Sequence, residues 1–213
     1  MSITSDQMLL NKVSWLKLQI LQFNDPDNLA ALAGLDFICK GTEQFFEFDY
    51  FNHKIKLTYP ELTAIDYCSK EVLSVGNQAV INYYCYHSIL SIPIPLQYEW
   101  ISFSDLIDGR IYNTAFQGYT GDLLAIQSKK IVNNFNNIQS ALRTELMDFG
   151  DFSFQSTVLP NISIALVIWL EDEEFPASCR LLFNNAINSF LPTDACAIIG
   201  SMFTHKVLQQ LKE

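Results

Sequence analysis

The chain has 213 residues, 13 Lys+Arg against 23 Asp+Glu for a formal net charge of -10, and is 49% hydrophobic and 13% aromatic. That much apolar surface excludes a disordered chain, and a globule of this length buries roughly 70% of its unfolded surface, so it needs neither disulfides nor a metal to hold a core. The acidic balance repels phosphate backbones and anionic head groups, which sets nucleic-acid and membrane binding aside.

The elements are predicted in chain order. Leu9, Val13, Leu16, Ile20 and Phe23 share one face of a first helix, with Thr4 and Gln7 as a capping box. Asp25 and Pro26 supply an N-cap and a first-turn proline for a short second helix that Gly34 closes. Residues 36–59 alternate, with Phe46, Phe48 and Tyr50 opposite Glu47 and Asp49, and a turn at Asn52-His53 leads to Ile55 and Leu57 on a return strand. A third helix spans 77–90, and Pro93 and Pro95 force an extended segment after it. Residues 98–103 alternate as a strand. Residues 121–149 read as helix, with Ile131, Phe135, Ile138, Leu142, Leu146 and Phe149 in one stripe, the Asn pairs at 133–134 and 136–137 as possible breaks, and Gly150 as the end. Strands follow near 152–158, 162–170 and 178–184, then a last helix from Asp194 capped by Thr193. Repeats, low-complexity stretches and linkers are absent from the sequence, so 1–213 is expected to form a single α+β domain, with one largely antiparallel sheet joining the 44–58 hairpin to the three later strands.

The five cysteines, Cys39, Cys68, Cys85, Cys179 and Cys196, are scattered and odd in number, which reads as reduced thiols rather than a disulfide framework or metal cluster. Cys179 and Cys196 flank the last apolar run, but no basic neighbour lowers a thiol pKa. The N-terminus has no basic start followed by an apolar run, so no signal peptide is expected. The longest apolar stretch is about half a membrane span, and a cytoplasmic protein is the expectation. Neither GxxxxGK[ST], GxGxxG, GxSxG nor HExxH occurs, and His53, His87 and His205 lie far apart. No metal or cofactor is assigned.

Two constellations remain. Glu171-Asp172-Glu173-Glu174 follows an apolar strand ending at Trp169. Carboxylates so close raise one another's pKa, which suits Asp172 and Glu174 to acid and base work or the cluster to a cation site, with Trp169 to stack a ligand and Arg180 or Arg110 to pair with a carboxylate. The alternative is a solvated hairpin turn whose charges protect a sheet edge. Tyr83-Tyr84-Cys85-Tyr86-His87 covers a whole helix circumference: Tyr84 could line an aromatic pocket with His87 as proton carrier, or the helix is a buried aromatic one with its hydroxyls bonded at the rim.

The segment 166–200 resembles the C-terminal signature of a bacterial and archaeal domain family of unknown function found in anaerobes, notably clostridia and sulfate reducers. That signature falls here on Trp169, Asp172, Glu173, Glu174 to Ser178, Leu182-Phe183 and Leu191 to Asp194; 100–106 and 112–116 resemble its middle block. Members sometimes carry an added cysteine-rich iron–sulfur module and occur near corrinoid or one-carbon enzymes. This chain lacks such a cysteine cluster, so no iron–sulfur role carries over, and the family supplies no catalytic residue. The resemblance implies an accessory module for a protein or cofactor-bearing partner. The competing expectation is a small-molecule enzyme, which needs Asp172 and Glu174 in a concave pocket beside Trp169 or Arg180. Phe175, Pro176, Phe183 and Leu191 are expected to pin the signature loop as structural residues.

Overall fold

The computed structural model describes residues 5–91 and 99–211. Thr4, Tyr98 and the Pro93–Pro95 segment lie outside them, and with them the predicted capping box and extended stretch. Two antiparallel sheets and the helices between and around them make up one α+β unit. The first sheet is ordered β1-β2-β3-β4, with strands Asp36–Lys40, Glu43–Tyr50, His53–Tyr59 and Ala64–Asp66. The second is ordered β5-β9-β8-β7-β6, with Trp100–Ser102, Ser178–Asn184, Ile162–Trp169, Phe152–Leu159 and Glu145–Met147. The expected single sheet is thus divided. The 44–58 hairpin belongs to one sheet and the later strands to the other, and the two meet at a corner where the Phe51 N–H donates to the Val158 carbonyl at 3.1 Å.

The β2–β3 turn sits one residue earlier than predicted, at Phe51 and Asn52, both left-handed (φ 49 and 62). Positive φ is costly for a residue as bulky as Phe. Burial of its ring against Tyr50, at 4.8 Å between centroids, with the Lys206 ammonium above it, holds it there.

Helices α1 (Ser5–Phe23) and α2 (Pro26–Ala33) follow the sequence reading: the Asp25 side chain accepts from the Asn28 N–H at 3.0 Å, and Gly34 ends α2 at φ 66. Helix α3 (Val75–Leu90) is buried on most of its circumference against α1, α2, β4 and the C-terminal helices, which explains why its apolar residues fall on every side. Its Gln78 amide acts as a mock strand for β4, accepting from the Ala64 N–H at 2.9 Å and donating to the Ala64 carbonyl at 2.7 Å. Edge groups left unpaired inside a protein are costly, and this residue covers the β4 edge together with the bridge from Ile65 to Val72.

The predicted helix 121–149 is three short helices and a strand: α5 (Gly121–Ala125), α6 (Ser128–Asn133) and α7 (Phe135–Leu142), preceded by α4 (Gly109–Tyr119), which the sequence reading left unassigned. The break at Asn134 falls where the Asn pairs stood. Arg143 then turns left-handed (φ 48), and 145–147 pair with β7 as an edge strand, so Leu146 and Phe149 leave the stripe for the surface. Gly150 ends no helix; its φ of 59 turns the chain into β7. After α8 (Ile187–Phe190) comes α9 (Thr193–Gln209). Thr193 is the first helical residue, not the cap: Pro192 holds that position, and the Thr193 hydroxyl donates instead to the Ile107 carbonyl at 2.5 Å.

Helix α9 covers the core face of the second sheet, formed by Phe154, Leu166, Ile168, Leu181 and Phe183. Gly200 on α9 lets α4 come close, because a Cβ there would lie 2.7 Å from the Phe116 ring. Phe116 in turn stacks on Phe103 with centroids 4.0 Å apart. This aromatic ladder fixes α4 beside the end of the second sheet.

A candidate ligand cleft at the end of the second sheet

Strand β5 pairs only with residues 182–184 of β9. The rest of β9, from Ser178 to Leu181, is bordered by helices. The Gln117 amide of α4 donates to the Cys179 carbonyl at 2.8 Å, and the start of α5 presses so close that a Cβ on Gly121 would meet that carbonyl at 2.4 Å. Between α4, the turn after β5 and the β8–β9 loop lies a cleft of about 870 Å³. This is within the usual range of ~300–1,000 Å³ for small-molecule sites.

The buried Phe103 and Phe116 lie behind the cleft, and the exposed Trp169, Phe175 and Pro176 stand at its rim. Phe175 is 66% exposed and Pro176 is also exposed, so neither pins the loop; Phe183 and Leu191 are buried as expected of structural residues. The loop is held by its own backbone and by two aspartates. The Asp172 carboxylate accepts from the N–H groups of Phe175 at 2.7 Å and Glu174 at 2.8 Å, and its own N–H donates to the Phe175 carbonyl. Asp151, just ahead of β7, accepts from the Leu170 N–H at 2.8 Å. An exposed ion pair from Lys129 to Glu171 ties the loop to α6.

Asp172, Trp169 and Arg180 are brought together in this cleft; Glu174 is exposed and does not line it. The N–H groups of Phe175 and then Glu174 hold the Asp172 carboxyl below its ordinary pKa, opposite to the rise that crowding among carboxylates produces. Cys179, also in the wall, is pushed up to about 12 by burial, and burial raises Cys196 further; both are free thiols. Arg110 lies apart from this cleft, beside Asp105 and Asp108.

Tyr84 and His87 are elsewhere and do not share a site. Tyr84 is fully buried, its hydroxyl donating to the Ala33 carbonyl at 2.5 Å and accepting from the Asn161 amide at 2.9 Å, while its ring stacks on Phe190. His87 is half-buried among Tyr83 and Tyr86, and burial, then the nearby Lys12, lowers its pKa. Sequence reasoning missed Asp151, Asn113, Gln117 and the serines at 102, 104 and 178, because their convergence depends on where α4 docks. The resemblance of 100–106 and 112–116 to a second block of the same family was the one available signal, since those segments form the opposite wall.

Among the described residues, no group of three or more His, Cys, Asp or Glu is placed to hold a metal ion, and no helix is long and apolar enough to cross a membrane. Residues 25–206 match the family model described as Domain of unknown function (DUF3786), and the chain belongs to that family. No curated protein and no solved structure matches the chain.

Proposed function

We propose that this member of the DUF3786 family is a non-catalytic binding module whose ligand occupies the cleft between α4 and the β8–β9 loop. The observation that carries the reading is how the fold engages the cleft's own groups: the Asp172 carboxylate accepts from the Phe175 and Glu174 N–H groups, and the Cys179 thiol is buried. Asp172 is held ionised by two backbone donors, and the Cys179 thiol is held protonated by burial. General acid–base work needs a group whose pKa lies near the working pH, and nucleophilic work needs a thiolate. Glu174, the other half of the acid–base pair, stands outside. Concavity and a rim of aromatic and polar side chains are what remain, and these suit recognition.

The acidic composition and the resemblance to a family of anaerobes support a cytoplasmic accessory role beside a protein or cofactor-bearing partner. The test is affinity purification of the full chain from its native host, with mass spectrometry of bound small molecules and partners, in parallel with Ser178→Trp. Ser178 is an exposed strand residue on the cleft wall, so a large ring there fills the space without entering the core. A species retained by the natural chain and lost from Ser178→Trp is the expected result. Retention unchanged by the filled cleft, or turnover of a bound molecule that stops in Asp172→Asn, overturns the reading.

A further inference from the structure

Resting on the reading of this cleft as a ligand site, we infer that its ligand is a small zwitterion of the amino-acid kind, with an aromatic or apolar side group. Charges of both signs line the cleft: the Arg180 guanidinium on β9, and the carboxylates of Asp151 and Asp172. Among the described residues none of the ion pairs, made by His53, Lys54, Lys56 and Lys129, includes Arg180, Asp151 or Asp172, so all three remain available to a ligand. The two carboxylates bond, among the described residues, only to backbone N–H groups, Asp172 through Oδ1 and Asp151 through Oδ2. Each therefore keeps its second oxygen free, and Arg180 keeps its whole donor fork.

Closing a ligand over these groups removes water from all of them, and a desolvated charge without a counter-charge is expensive. A pure anion satisfies Arg180 but faces two carboxylates. A pure cation satisfies those and strands the guanidinium. A neutral apolar ligand strands both signs. A molecule that carries a carboxylate and an ammonium compensates both, and discrimination against the other three arises from the charges they leave unpaired. Trp169, 39% exposed at the rim, provides the ring surface against which a side group stacks.

The test is isothermal titration of the full chain with L-phenylalanine, 2-phenylethylamine and 3-phenylpropanoate, which share a ring and differ in charge, after a thermal-shift screen of the proteinogenic L-amino acids at millimolar concentration. L-Phenylalanine, or the best amino acid of the screen with its amine and acid analogues, is expected to bind on the order of tenfold or more tighter than either analogue, the size expected from losing a charge-assisted contact. Arg180→Gln should erase the preference over the amine. Asp151→Asn, which keeps an oxygen for the Leu170 N–H, should erase the preference over the acid. Equal affinity for an analogue, an Arg180→Gln protein that binds the amino acid as before, or no shift with any amino acid overturns the proposal. If a molecule of single charge sign co-purifies with the natural chain and is lost from Ser178→Trp, the ligand class fails and the cleft reading stands. If Ser178→Trp changes nothing that binds, both fail.

Discussion

The two polar constellations of this chain, the Tyr83–His87 segment of α3 and the loop joining β8 to β9, differ in what their polar atoms do. On α3 the Tyr84 hydroxyl is used twice, by Ala33 and Asn161, and Ser88 one turn on donates to the Tyr84 carbonyl at 2.7 Å. In the cleft, the side chains of Asp151, Asp172 and Arg180 retain bonding capacity that faces open space. The first arrangement serves packing: a polar group buried without a partner costs free energy, and the Tyr84 and Ser88 hydroxyls each have one. The second leaves its charged groups exposed, with capacity that folding does not use.

That contrast can be broken by mutation. The largest effect is expected at Phe183, which is fully buried where α4, α9 and β9 meet. Phe183→Ala should lower the unfolding free energy by about 3–5 kcal/mol in urea titration. Tyr84→Phe keeps the ring stack on Phe190 but removes the hydroxyl that links α3 to α2 and Asn161, and about 1–2 kcal/mol should be lost by the same measurement. If Tyr84→Phe were as stable as the natural chain, the α3 network would be as spare as the cleft, and the distinction would fail.

A smaller effect should appear in the pH dependence of the melting temperature. Burial and Lys12 lower the His87 pKa in the folded state, so the unfolded chain binds the extra proton more readily. The stability this linkage protects is fully present above the unfolded value of about 6.5 and is lost as pH falls from there toward the lowered folded value. His87→Gln should flatten the melting-temperature profile in that interval; a profile identical to the natural chain would show His87 to be solvated like an ordinary surface imidazole. The smallest change is expected for Asp172→Asn, whose amide oxygen still accepts from Glu174 and Phe175. Its melting temperature should match the natural chain near neutral pH. A loss as large as that of Tyr84→Phe would make the loop carboxylate an architectural residue rather than a free recognition group.

Much of the chain was legible locally. The Asp25-Pro26 start and Gly34 end of α2, the alternation of Phe46, Phe48 and Tyr50, and the burial of Phe183 depend on neighbours close in sequence or on side-chain periodicity, and all stand in the structure. Trp169, Asp172 and Arg180 were legible as a group because they lie within a hairpin of one another, on strands that pair Trp169 with Ser178.

What the sequence by itself determined, then, is the α+β class and the identity of most strands and helices, because apolar spacing is carried by each segment alone. Only the tertiary structure decided that the strands form two sheets, since the corner at Phe51 and Val158 joins residues more than a hundred positions apart. It also turned 145–147 from helix into an edge strand, because pairing with β7 offers backbone partners that a further helical turn past the left-handed Arg143 does not. The cleft belongs to the same category. Its far wall is α4, seated by Gly200 and the Phe103–Phe116 stack, and no spacing within 166–184 contains that contact.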